Sequence, residues 1–168
     1  MSEREARIKD LKAADFDGLV REVLGKGGGL RFRARGTSMR PFIRDGDVVL
    51  VEPAAPSELK RGEIVLCRRP WGSHTVHRLV RLQSSAEGLS LITKGDNAAF
   101  CDLPIPVTEM MGRVVEIERN GRCLRLDRGT GRMFNNLVYR LSPFKPWRFS
   151  WLRWLARHPW RWVGRLMW

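Results

Sequence analysis

A serine in a short turn is the first residue whose setting favours covalent chemistry. Residues 36–41 read GTSMRP, so Ser38 lies two residues after a glycine and three before a proline. A hydroxyl on a tight turn is exposed, and a nearby glycine lets another backbone approach it, which suits a serine nucleophile. The same composition is typical of an ordinary turn, so chemistry at Ser38 requires a base from elsewhere in the chain.

A histidine in a predicted strand is the candidate for that base. Residues 75–80 read TVHRLV, and their alternation places Thr75, His77 and Leu79 on one face of a strand. An imidazole among apolar neighbours is desolvated and can be directed at one partner, although many strand histidines are hydrogen-bonded core residues. His74 falls on the opposite face, which argues against a metal held by both histidines.

Two aspartates are candidates to orient the imidazole. Asp96 lies in the sequence TKGDN of residues 93–97, and Asp102 follows shortly after. A carboxylate behind a histidine fixes its tautomer and stabilises the imidazolium, although Gly-Asp-Asn also favours a simple turn. Lys94 is a competing base. It would have to be desolvated to act at neutral pH, and the nearby Asp96 favours its charged form, so His77 is preferred.

The elements that must position these residues are mostly strands. Apolar residues recur at helical spacing from Asp15 until the glycines of residues 25–29, which predicts one short amphipathic helix. Strands are predicted at residues 30–34, 47–52, 63–68, 74–82, 89–93, 112–118 and 123–126. An Asn120-Gly121 pair predicts a hairpin turn before the last of them. We therefore expect a mainly β fold.

The positive charge is concentrated at the C-terminal end. The formal net charge is +13, yet residues 1–127 carry 22 Lys and Arg against all 18 acids, whereas residues 128–168 carry nine Lys and Arg and no acid. Six of the seven tryptophans lie within residues 147–168. We divide the chain into an N-terminal helical extension (1–29), a catalytic domain (30–127) and a basic, Trp-rich tail (128–168).

The tail is expected to bind a membrane surface. One stripe of a helix would carry the arginines that recur every four residues, namely Arg153, Arg157, Arg161 and Arg165. Tryptophan and arginine on one amphipathic segment are typical of the membrane interface. The alternatives are that the aromatic face packs on the β body or that the tail stacks on nucleic-acid bases. Nucleic acid is the less favoured partner, because one helix before residue 30 leaves little room for a helix-turn-helix reader.

The motifs occur in an order that resembles the signal peptidase I family and its relatives, the LexA-type self-cleaving repressors. The strings that carry the resemblance are GTSMRPFIRDGDVVLVEP, RGEIVLC, TVHRLV and ITKGDNAAFCD, within residues 30–119. The resemblance implies a catalytic β fold with Ser38 as nucleophile. Because the base position reads Thr-Val-His-Arg, it implies the histidine type of signal peptidase, with His77 as base.

The resemblance also assigns the remaining site residues. Asp96 and Asp102 carry over as functional aspartates, with Asp96 the favoured orienter of His77 and Asp102 the alternative orienter or a structural support. The oxyanion and substrate pocket is expected to involve Gly36, Thr37, Met39 and the backbone N–H of Ser38. Signal peptidases commonly have a serine at the position of Gly36, and its hydroxyl would be absent here. No cofactor or metal is expected.

The expected activity is that of a serine endopeptidase that cleaves a signal or leader peptide. Two other classes remain: a LexA-like regulator that cleaves itself, and a binding protein that keeps the fold without catalysis. No cleavable signal and no run of about 18 apolar residues is evident, so no transmembrane helix is expected. We expect a peripheral membrane protein on the cytoplasmic face.

Overall fold

Eight strands and two helices form the described part of the chain. The structure is a computed structural model, and it describes residues 13–70 and 72–141. The elements in chain order are α1 (Ala13–Gly25), β1 (Leu30–Arg33), β2 (Val48–Glu52), β3 (Ile64–Arg68), β4 (His74–Ser85), β5 (Gly88–Lys94), β6 (Ile105–Pro106), β7 (Met110–Arg119), β8 (Arg122–Arg125) and α2 (Gly129–Leu141). The prediction of a mainly β fold is confirmed.

The strands form one curled antiparallel sheet, a half-barrel, in the order β1-β2-β7-β3-β4-β5-β6. The last strand, β8, pairs with the C-terminal half of β7. Asn120 and Gly121 connect these two strands with positive φ angles of 52° and 73°, as the Asn-Gly pair predicts for a hairpin. Because β1 ends the sheet order, one row of its backbone N–H and C=O groups does not face β2.

Two apolar clusters pack on opposite faces of β3, since Ile64 and Leu66 belong to the larger cluster and Val65 and Cys67 to the smaller. The larger contains Val20 and Leu24 from α1 and inward-facing residues of β1, β2 and β7. Met39, Phe42 and Ile43 belong to the same cluster, so the chain just after Ser38 is anchored in the core. The smaller cluster contains residues of β3, β4, β5 and β6.

Helix α2 packs on the body at the turn before β3. Asn135 is buried and donates from its side-chain amide to the carbonyl oxygen of Gly62 at 3.2 Å. The Tyr139 ring lies directly against Gly62. The first part of the segment that the sequence assigned to the tail is therefore a packed helix. The amphipathic segment at residues 147–168 and its expected membrane face lie outside the described residues.

Neither of the two helices within residues 13–70 and 72–141 is both long enough and apolar enough to cross a membrane.

Candidate active site

Ser38 lies in the loop between β1 and β2, exposed above a buried anchor. Its neighbour Met39 is buried in the main core, which fixes the loop while leaving the Ser38 hydroxyl accessible. Gly36 has a φ of 98°, a conformation that favours glycine, and its N–H donates to Asp45 Oδ1 at 2.8 Å. The turn that the sequence indicated is thus held at both ends.

His77 reaches Ser38 from the middle of the sheet. It lies on β4 opposite Val65 of β3, and only 7% of its surface is exposed. Its Nε2 atom is 2.9 Å from Ser38 Oγ, although the two residues are 39 positions apart in sequence. The structure therefore brings the predicted nucleophile and the predicted base into hydrogen-bond contact.

Asp102 lies on the far side of the imidazole. Its Oδ2 atom is 2.5 Å from His77 Nδ1 and also accepts the Thr93 hydroxyl at 2.7 Å. Its Oδ1 atom accepts a guanidinium N–H of Arg69 at 2.5 Å. Since an ionised carboxylate only accepts hydrogen bonds, Nδ1 of His77 must carry the proton. The lone pair of Nε2 then faces the Ser38 hydroxyl, as a general base requires.

The surroundings of Asp102 hold it in its charged form. Burial raises the pKa of this carboxyl, but the hydrogen bonds from His77 and Thr93, with Arg69 beside it, outweigh burial and lower the pKa to about 2. The carboxylate is thus ionised throughout the neutral and mildly acidic range. A charged acceptor behind the imidazole stabilises the imidazolium that forms when the serine loses its proton.

The structure places Asp96 elsewhere, contrary to the expectation that it orients His77. Both of its oxygens accept from Arg78, at 2.7 and 2.8 Å, and both side chains are only 2% exposed. Arg78 also donates to Gly62 O and to Asn135 Oδ1. Because His77 and Arg78 are consecutive on β4, they point to opposite faces. Asp96 is therefore the ion-pair partner of Arg78, and Asp102 is the hydrogen-bond partner of His77.

The loop that carries Asp96 also forms hydrogen bonds to the backbone around Ser38. The Asn97 N–H donates to Ser38 O at 2.8 Å, and its side-chain amide donates to Thr37 O at 3.3 Å. Gly95 lies so close that an added Cβ would be 2.7 Å from Ser38 O and 3.2 Å from His77 Nε2. From the sequence alone, residues 95–97 were considered as the source of an orienting aspartate or as a simple turn, and this role was missed. The signal was present, because a glycine where two chain segments meet is a common requirement of close packing.

We expect Gly95→Ala to reduce the reactivity of Ser38 by about 100-fold, because the methyl group would push Ser38 and His77 apart by a few tenths of an ångström or more. The rate of Ser38 labelling by a fluorophosphonate measures this. Gly18→Ala is the matched control, since Gly18 lies in α1 with no atom within 4 Å of an added Cβ. Equal labelling rates in the two variants, with both folded, would contradict the proposed role of Gly95.

The residues that were predicted to form the oxyanion and substrate pocket lie around the same loop. Gly36 and Met39 line the cleft beside Ser38, and Thr37 is exposed at its rim. Within the described residues no acceptor is bonded to the Ser38 N–H, which leaves this donor available to a developing oxyanion. Because residue 36 is a glycine and has no hydroxyl, an oxyanion hole at this site would depend on backbone N–H donors.

A cleft of about 380 Å³ runs past Ser38 between β1 and the start of β4. Residues 32–36 form one wall, and residues 74–76 form the other. Phe16 of α1 closes one end, since its ring centroid lies 5.2 Å from that of Phe32 and 4.7 Å from that of His74. The first residues of β4 precede its pairing with β5, which starts at Arg78. Both walls therefore present backbone groups to the cleft.

The other residues considered from sequence lie apart from the reacting pair. His74 Nε2 is 3.2 Å from Asp17 Oδ1, on the cleft wall rather than beside His77 Nε2. In the described part of the chain, Lys94 has no hydrogen bond to Ser38 or His77. No group of three or more His, Cys, Asp or Glu residues there could hold a metal ion. Arg69 and Thr93, which hold Asp102, were not recognised from sequence.

Comparison with known proteins identifies the family. The model of the family described as Peptidase S24-like matches residues 5–115, which is more than half of the chain and includes all of the residues that surround Ser38 and His77. This family covers LexA-type and signal peptidase I-like peptidases, so the resemblance found in the sequence is confirmed at that level. No curated protein matches the chain significantly. The chain belongs to the Peptidase S24-like family of serine peptidases.

Proposed function

We propose that this protein is a serine endopeptidase in which Ser38, His77 and Asp102 act as a catalytic triad. The observation that carries the proposal is the 2.9 Å contact between Ser38 Oγ and His77 Nε2, with Asp102 bonded to the opposite ring nitrogen. Nucleophile, base and orienting carboxylate are connected in one chain of hydrogen bonds, which is the arrangement that activates a serine hydroxyl.

The reaction follows from these contacts. His77 Nε2 takes the Ser38 proton as Oγ attacks the scissile carbonyl, and the Ser38 N–H donates to the resulting oxyanion. The imidazolium, stabilised by Asp102, then gives its proton to the leaving amine as the peptide C–N bond breaks. Water next attacks the Ser38 ester with His77 again as base, which releases the acid and restores the hydroxyl. Every proton moves through His77, so no cofactor is needed.

The substrate we propose is an extended peptide bound between β1 and the start of β4. A strand added at the outer edge of β1 would satisfy backbone groups that β2 does not reach, and the cleft walls would hold it across Ser38. The resemblance to signal peptidases favours a signal or leader peptide with small residues before the cut. The apolar side chains of Met39 and Val76, which line the cleft with Ser38, support a small apolar side chain beside Ser38.

Cleavage of a proteome-derived peptide library tests the proposal. Wild-type protein is expected to generate new peptide ends that Ser38→Ala fails to generate, with a rate loss of at least about 1,000-fold. Ser57→Ala is the matched control, because Ser57 is an exposed serine in the turn before β3. The intact mass of the wild-type chain, followed in the same reaction, separates peptide cleavage from self-cleavage. Equal cleavage by wild-type and Ser38→Ala proteins would refute the proposal.

A further inference from the structure

The cleft beside Ser38 has an apolar floor and a basic rim. Ile43 and Leu66 of the main core lie at its floor. The charged side chains among its lining residues are those of Arg33, Arg35 and Arg44, and no aspartate or glutamate is among the described lining residues. Whatever peptide enters the cleft therefore passes beside arginines on the β1 side.

Two arginines of β1 differ in how their charge is balanced. Arg31 forms ion pairs with Glu116 and Glu118 on β7, two strands away across the sheet. Arg33 lies two residues nearer to Ser38 on the same face of the strand, and its one hydrogen bond to a described residue is to the carbonyl oxygen of Gly46, at 2.7 Å. A neutral carbonyl positions a guanidinium but does not cancel its charge.

Three carboxylates line a second pocket together with Arg33, namely Asp45, Asp47 and Glu118, and each accepts from another donor; Glu118 pairs with Arg31. Asp47 accepts from Arg119 through both of its oxygens, at 2.8 and 2.5 Å. Asp45 Oδ1 accepts the Gly36 N–H. Among the described residues no ion pair joins Arg33 to any of these three, so its positive charge is available to a ligand at the rim.

We propose that Arg33 selects peptides that carry an acidic side chain a few residues from the scissile bond. This inference rests on the proposed function, since it assumes that a peptide lies along β1 and crosses Ser38. It names the class of substrate: an extended peptide with a small residue at the cleavage point and an aspartate or glutamate beside the β1 rim. The acid would pair with Arg33, while the peptide backbone follows the edge of the strand.

The size of the effect follows from the exposure of Arg33. An exposed ion pair contributes only a modest free energy, so replacing the acid by its neutral amide is expected to weaken binding by about threefold. A lysine at the same position meets repulsion rather than attraction, which separates Asp from Lys peptides by about tenfold. Because the pair is at the rim, added salt should reduce both ratios.

Peptide binding to Ser38→Ala protein tests the inference without any turnover. The probes are fluorescent peptides of alanine, valine and serine that carry Asp, Asn or Lys at one position. A series of peptides places this residue at each position in turn, and the affinity of each peptide is measured by fluorescence anisotropy. We expect one position at which Asp binds about threefold tighter than Asn and about tenfold tighter than Lys. Arg33→Gln should remove this preference, and Arg33→Glu should invert it. Arg81→Gln is the matched control, since exposed Arg81 on β4 also bonds to a neutral acceptor, Gln83.

The outcomes separate the inference from the proposed function. Equal affinity for all three peptides at every position, or an equal effect of Arg33→Gln and Arg81→Gln, would overturn the role of Arg33. Wild-type protein is tested in parallel for cleavage of the same peptides. Charge-dependent binding without cleavage would support Arg33 while contradicting the peptidase, whereas cleavage without any charge preference would do the reverse.

Discussion

Asp102→Asn protein is expected to fold and to cleave peptides about 10,000-fold more slowly than wild type. Arg69 donates to the Oδ1 position, so the carbonyl oxygen of the new asparagine will be held there. Its NH₂ group then occupies the Oδ2 position and donates to His77 Nδ1, which must become the acceptor. The ring proton moves to Nε2 and points at Ser38, where it blocks proton transfer from the hydroxyl.

Steady-state kinetics and nitrogen NMR of the His77 ring measure both parts of this prediction. The spectrum of wild-type protein should show Nδ1 protonated, and that of Asp102→Asn should show Nε2 protonated. Asp127→Asn is the matched control, because Asp127 pairs with Arg125 and has no contact with His77. It should leave the rate and the spectrum unchanged. An asparagine variant with near-normal kcat would show that Asp102 does not set the tautomer.

The choice of base is decided by the same assay. His77→Ala should lose activity as fully as Asp102→Asn, because Ser38 Oγ then has no acceptor for its proton. Lys94→Ala should keep its activity, since Lys94 contacts neither member of the reacting pair in the described chain. Activity that survives His77→Ala but not Lys94→Ala would assign the base to the lysine and contradict the triad.

The strands and the individual settings of Ser38 and His77 could be predicted because local patterns specify them. Alternating apolar residues determine which face of a strand is buried, and turn residues mark where each strand ends. His77 is inside because Thr75 and Leu79 share its face, and Ser38 is exposed because its turn is anchored by Met39 and Ile43. The resemblance of the four boxes to signal peptidases then supplied the pairing across 39 residues, which no local pattern determines.

The two aspartates could not be separated in this way. Both follow β5 within nine residues. What separates them is the path of the chain: the Asp102 N–H donates to Thr93 O at 2.8 Å, whereas the Asp96 side chain pairs with Arg78 of β4. One clue was available in the sequence. If His77 faces Ser38, then Arg78 faces the opposite side of β4, and a buried arginine requires a carboxylate.

The packing of α2 on the β body was not predicted, because the C-terminal region was interpreted from its amino-acid composition alone. A basic segment without acids suggested a tail that begins at residue 128, yet Asn135 is buried against Gly62 and accepts from Arg78. A single polar residue that completes a buried network leaves no periodic signature in the sequence. The role of Asn135 can be recognised only when the position of the buried Arg78 side chain in the fold is known.

The buried pair of Arg78 and Asp96 leads to the second large effect. Asp96→Asn is expected to lower the free energy of unfolding by about 3–5 kcal/mol, because it leaves the Arg78 guanidinium buried without a counter-charge. For a domain of this size the melting temperature should fall by about 10 °C or more. The exposed pair of Arg125 and Asp127 provides the control, since Asp127→Asn should cost about 1 kcal/mol or less.

The double variant Arg78→Met/Asp96→Leu separates a structural role from a catalytic one. Replacing both charges by apolar side chains removes the unpaired ion, so it should recover much of the stability that Asp96→Asn loses. Asp102 and Thr93 remain to hold His77, so the double variant should also keep most of its cleavage rate at temperatures where it is folded. A stable double variant with a rate as low as that of Asp102→Asn would show instead that Asp96 takes part in orienting His77, and the assignment of the two aspartates would have to be reversed.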